Sequence, residues 1–89
     1  MDPRNANPEI CEAIRAVLHE CRDRPLMETS LLTYVRPKVS APVILADVKS
    51  HLAFLEGRGE VAQIGSHDNP SASVSWTLTK KGRLVVAQS

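Results

Sequence analysis

Aromatic side chains are nearly missing from this 89-residue chain, with Tyr34, Phe54 and Trp76 as the whole supply. Its core must therefore be aliphatic, assembled from Leu, Val, Ile and Ala. A surplus of charge is missing as well. Eleven basic residues stand against ten acidic ones, a formal net charge of +1, and residues 1–40 carry six of each sign. Without a basic surplus, little is gained from general counterion release, the term that drives most nucleic-acid binding. Such a partner would have to be held by locally placed groups. Cysteine is limited to Cys11 and Cys21, too few for a disulfide framework. No run approaches the ~18 apolar residues needed to cross a membrane. The opening MDPRNANPEI has no signal-peptide apolar segment, so a cytoplasmic protein is expected. The length leaves room for one core, since chains divide into several only at roughly 250 residues or more.

What is present is mostly helical pattern. Asn7 is a suitable N-cap, Pro8 suits the first helical position and Glu9 complements the positive end of the helix dipole. Ile10, Ala13, Ile14, Val17, Leu18 and Cys21 recur at three- and four-residue spacing, and Pro25 stops the run, which predicts a helix over about 8–23. A second helix is expected over 27–36, with Leu31, Leu32 and Val35 buried, Leu26 packing just before it and Pro37 breaking it. Ser40 reads as the N-cap of a third and longest helix over 40–57, with Pro42 in its first turn. Its core side is Ile44, Leu45, Val48, Leu52 and Leu55, and Gly57 and Gly59 supply its C-terminal cap.

After Gly59 the period changes to two. Val61 and Ile64 mark one strand, over about 60–65. Val74, Trp76 and Leu78 alternate with polar residues in another, over about 73–78. The turn-rich stretch 65–71, carrying His67 and Asp68, joins them as a hairpin. Thr79 can cap a last helical turn over 79–87 that returns Leu84 and Val85 to the core. The fold class is therefore α+β and mainly α, a three-helix core with a β-hairpin and a short C-terminal turn in one domain over 1–89.

Helix, helix, tight turn, helix, hairpin is the order of a winged helix-turn-helix. The stretch from Val48 to Val61 resembles the end of a recognition helix and the start of a wing in bacterial ArsR- and MarR-like regulators, with His51, Leu52, Leu55, Gly59 and Val61 in the matching places. Trp76-Thr77-Leu78-Thr79-Lys80-Lys81-Gly82 resembles the end of their wing. The small size is also similar to that of short winged-helix proteins of Mu-like prophages. The resemblance implies a transcriptional regulator that binds double-stranded DNA, in some relatives as a dimer formed through terminal helices. Here the tail Arg83–Ser89 would supply the apolar surface for a homodimer.

The residues give that implication a limited footing. Read on a helix from 40 to 57, the side opposite the core presents Val43, Ala46, Asp47, Ser50 and Phe54, without the Arg, Asn or Gln that pair bidentately with guanine and adenine. Lys49 and Ser50 are the candidate groove contacts. Arg36, Lys38 and Ser40 before the helix, and Lys80, Lys81 and Arg83 after the hairpin, are the candidate phosphate contacts. A protein-interaction module is the alternative, using Val43, Ala46 and Phe54 as an exposed apolar strip.

Metal sensing and catalysis find little support. Cys11 and Cys21 are ten residues apart on one helix, about 15 Å along its axis, too far to share a zinc ion. An intersubunit site with Cys21 and His19 would be the remaining geometry. Cys21 is expected to fill a small core gap, with Cys11 at its edge. His51, beside the core side of the third helix, reads as a packed or capping side chain. No Ser-His-Asp order, phosphate-cradling glycine loop or HExxH stretch appears, so neither an enzyme nor a cofactor is expected.

Overall fold

The computed structural model describes residues 6–21, 24–64 and 75–88. Helix α1 covers Pro8–Glu20 and strand β1 Leu26–Met27. Helix α2 covers Glu28–Val35 and continues into a 3-10 turn, Arg36–Lys38. Helix α3 spans Leu45–Gly57, β2 Val61–Ile64, β3 Ser75–Leu78 and α4 Lys80–Ala87. The three helices α1–α3 enclose the core, and the small antiparallel sheet, in the order β1-β3-β2, closes one side of it.

Helix α1 forms as its sequence dictates. The Asn7 side chain accepts from the Glu9 N–H at 2.9 Å, and Ile10, Ala13, Ile14, Val17 and Leu18 are all buried. It ends at Glu20, short of 23. Cys21 leaves the helical region (φ −106°, ψ 35°), because Pro25 disfavours helix at the residue before it and the chain must turn to bring Leu26 into the sheet. The two thiols exchange their expected places: Cys11 is buried among the core residues and Cys21 is only half-buried at the helix end.

Strand β1 is an element that periodicity gives no hint of, since two residues carry no period. Leu26 pairs with Trp76 and Met27 with Ser75. On the other side of β3, Val61 pairs with Leu78 and Gln63 with Trp76. Cross-strand partners share a face, so Val61, Trp76 and Leu78 lie on the buried one. The hairpin tip at 65–74, with His67, Asp68 and Val74, lies outside the described residues.

The start of α3 is the main correction. The helix begins at Leu45, not at residue 40, and at 13 residues it equals α1 rather than exceeding it. Pro42 pushes Ala41 away from helical geometry. Ser40 caps nothing, because the helix begins beyond it at Leu45; its N–H and hydroxyl instead donate to the Glu9 carboxylate at 2.7 and 3.0 Å. Residues 42–44 run outside the helix, which buries Val43 and leaves Ile44 at the N-cap with 59% of its surface exposed. Ile44 has no polar side chain to cap with. Asp47 supplies half of a capping box by accepting the Ile44 N–H at 3.1 Å. Farther along, Val48, Leu52 and Leu55 are fully buried as the pattern requires, with Leu45 half-buried.

Helix α4 is capped as expected, the Thr79 hydroxyl accepting from the Gly82 N–H at 3.1 Å. Its inward face differs from expectation. Gly82 is buried and Val86 packs on the core, so Leu84, half a turn away from both, is 54% exposed, and Val85 is half-buried.

Candidate functional site

Helices α2 and α3 with the 3-10 turn between them form a helix-turn-helix, with α1 behind and the β2–β3 hairpin beside it. Outward from α3 point Ala46, Lys49, Ser50, Ala53 and Glu56, with Ile44 at the N-terminal end. This face is narrow in side-chain bulk and carries a single cation. Ser50 keeps its hydroxyl on its own helix, donating to the Ala46 carbonyl at 2.8 Å. Lys49 extends toward α2, where its Nζ lies 3.7 Å from Glu28 Oε2. The other oxygen of Glu28 accepts the Trp76 indole N–H at 3.3 Å. One carboxylate thereby joins the first helix of the motif, the second helix and the sheet.

The groups before α3 are engaged in the same manner. Arg36 Nε donates to the Val43 carbonyl at 3.3 Å, the Lys38 ammonium lies 3.1 Å from Glu20, and Ser40 is held by Glu9. After the hairpin, Lys81 donates to the Arg58 carbonyl at 2.7 Å, while Lys80 and Arg83 are exposed. The predicted strip of Val43, Ala46 and Phe54 is not assembled. Val43 is buried ahead of the helix, Ala46 is exposed, and Phe54 is half-buried against the core with Arg58 Cζ 5.6 Å from its ring centroid.

The far end of α3 is fixed by a buried charge. Glu60 has no exposed surface and is clamped by Arg15 Nε of α1 at 2.7 Å and by Arg58 Nε at 2.6 Å. Gly59 makes the turn into the hairpin with φ +79°, a conformation glycine adopts without a Cβ penalty. His51 connects α3 back to α1. Its Nδ1 is 2.6 Å from the Asp47 carbonyl, which can only accept, so Nδ1 carries the proton and Nε2 accepts the Asn7 N–H at 2.9 Å. His51 is thus the packed, hydrogen-bonded side chain that its position implied. Burial pushes the Cys11 thiol above its ordinary 9.0, with Arg15 and Arg58 opposing and Glu60 adding to the shift.

Sequence reasoning missed the carboxylates. Glu9, Glu20 and Glu28 look like ordinary helix-surface charges, and only the packing sets them opposite Ser40, Lys38 and Lys49, which lie 31, 18 and 21 positions farther along the chain. No local signal could reveal those pairs.

No family model and no curated protein sequence matches this chain. Solved structures do. A PadR family transcription regulator from hypervirulent Clostridium difficile superposes with a TM-score of 0.71 at 15% identity, over 89% of this chain and 80% of that one. Streptococcus pneumoniae FabT in complex with DNA gives 0.65 at 20% identity, over 99% of this chain and 55% of that one. A mutant of Lactococcus lactis ZitR gives 0.61 at 16%, over 85% and 47%. The chain therefore spans most of the first of these proteins and about half the length of the other two. At such identities the likeness is one of architecture, and the architecture is that of a winged helix-turn-helix.

Proposed function

We propose that this chain is a winged-helix DNA-binding protein that regulates transcription in the cytoplasm, a binding protein rather than an enzyme. The observation that carries the reading is the match of 99% of the chain to a FabT structure that holds DNA. The resemblance of 48–61 and 76–82 to ArsR- and MarR-like regulators points the same way. The outward face of α3 is compatible with it. Ala46 and Ala53 leave little bulk to keep the helix from a groove, Lys49 and Ser50 lie beside them, and the acidic Glu56 follows one turn toward the C-terminal end. In this reading Arg36, Lys38 and Ser40 meet the phosphate backbone on one side, and Lys80 and Lys81 on the other. Leu84, 54% exposed on α4, gives a second copy an apolar contact for a homodimer. No helix among the described residues is long and apolar enough to cross a membrane.

The test is fluorescence anisotropy of the purified protein with a random-sequence duplex, titrated across salt. The expected result is a Kd on the order of 1–100 μM that weakens with salt, by a log–log slope of about −0.9 for each phosphate neutralised. Lys80→Met, at an exposed candidate phosphate contact, should reduce that slope by about one such step. Absence of binding at low salt would overturn the reading.

A further inference from the structure

Carboxylates of the chain itself already hold three of the groups that a DNA backbone would use. Glu9 takes the Ser40 N–H and hydroxyl, Glu20 lies 3.1 Å from the Lys38 ammonium, and Glu28 lies 3.7 Å from that of Lys49. To an ammonium, a hydroxyl or a backbone N–H, carboxylate and phosphate oxygens are equivalent acceptors. Glu28 is the least exposed of the three. Its side chain is 25% exposed, and the Trp76 indole N–H fixes one oxygen so that the other faces Lys49. Lys49 in turn is the one cation on the outward face of α3, with 58% of its side chain open to solvent.

Resting on the DNA-binding reading, we infer that Glu28 is an affinity-setting residue, an internal phosphate surrogate that competes with DNA for Lys49. A phosphate that approaches α3 meets a lysine already neutralised and a carboxylate that repels it. Every duplex, whatever its sequence, encounters that opposition, so binding of random DNA is held weak. Glu20 opposes DNA at Lys38 in the same way. The balanced charge of the whole chain then has a local counterpart, each of these cations being matched where it would act.

The experiment is a double-mutant cycle read by anisotropy on random duplex at low salt, with wild type, Glu28→Gln, Lys49→Met and the double variant. Glutamine keeps an oxygen for the Trp76 indole and removes only the charge. The single tryptophan reports by its near-ultraviolet signal that the packing around it is retained. Glu28→Gln should tighten binding about threefold, the size of an exposed ion pair, and steepen the salt slope by about 0.9. The gain should vanish in the Lys49→Met background. If wild type binds and Glu28→Gln binds no better, or if the gain survives without Lys49, the inference is overturned while the DNA reading stands. If none of the four proteins binds, both fall. Should Glu28→Gln disturb the fold, the cycle of Glu20→Gln with Lys38→Met tests the same competition at an exposed pair away from Trp76.

Discussion

The two ends of α3 are built in opposite ways. At the C-terminal end the chain is tied repeatedly. Glu60 holds Arg15 and Arg58, its carbonyl accepts the Thr79 N–H at 3.0 Å, and the Thr79 hydroxyl donates to the Gly59 carbonyl at 2.5 Å. At the N-terminal end an isoleucine caps the helix with most of its surface in solvent, and the side-chain ties are the Asp47 carboxylate on the Ile44 N–H and Arg36 Nε on the Val43 carbonyl. A helix offered to a partner has to be held from the end it does not offer. The buried ion triad suits the holding task, because such a group tolerates little change of geometry. Its value lies less in net stability than in fixing how α1, α3 and the hairpin meet.

The contrast can be broken first at Glu60. Glu60→Ala leaves the Arg15 and Arg58 guanidiniums without their counter-charge. Breaking a buried pair costs about 3–5 kcal/mol, and partial exposure of both arginines favours the lower figure. Urea unfolding measures it. A loss below about 1 kcal/mol would mean that the two ends of α3 are not held differently. Next comes Gly82→Ala. A Cβ there would overlap the Glu60 carbonyl oxygen and press on Leu78 Cδ2 at 2.8 Å. The expected cost is about 1–3 kcal/mol by the same measurement, the usual penalty for overpacking.

A smaller effect comes from Cys11, which feels the charges of the clamp. Burial raises its folded-state pKa above 9.0, so the native state favours the neutral thiol. That contribution to stability is fully present below pH 9.0 and is lost as pH rises from there through the folded value. Alkylation at neutral pH should label the half-buried Cys21 quickly and Cys11 only when the protein is unfolded, read by mass spectrometry. Equal labelling of both would show that the packing around α1 is looser than described. The smallest effect belongs to the open end. Ile44→Ala, which exchanges one side chain unable to cap the helix for another, should change the unfolding free energy by no more than about 0.5 kcal/mol, as for a surface position. A larger loss would mean that Ile44 packs on something.

The sequence was readable wherever a helix has a long amphipathic face. The α1 stripe, the Asn7 cap, the buried side of α3 from Val48 to Leu55 and the Thr79 cap all follow from spacing and local side-chain chemistry. It misled where two local rules competed. Ser40 satisfies the preferences of an N-cap, yet Pro42 disfavours helix at Ala41 just after it, so the helix starts at Leu45 and the Ser40 donors go to Glu9 instead. That shift moves Val43 from the outward strip into the core and Ile44 from the core into solvent, since residues 42–44 lie outside the helix and do not follow its 3.6-residue period. Leu84 was misplaced because Gly82 and Val86, rather than the larger leucine, line the inward face of α4. The candidate cations were visible as residues, but their partners were not.

By itself, then, the sequence determined an aliphatic three-helix core, a hairpin after Gly59 and the winged-helix order of elements, because each rests on periodicity and capping within a few residues. Tertiary structure alone decided where α3 begins, that Leu26–Met27 joins the sheet, that Glu60 is buried between two arginines and that Glu28 stands against Lys49. Those contacts join residues far apart along the chain. Whether a charge is solvated, clamped or matched depends on which side chains the fold brings within a few ångströms of it, and no local pattern encodes that.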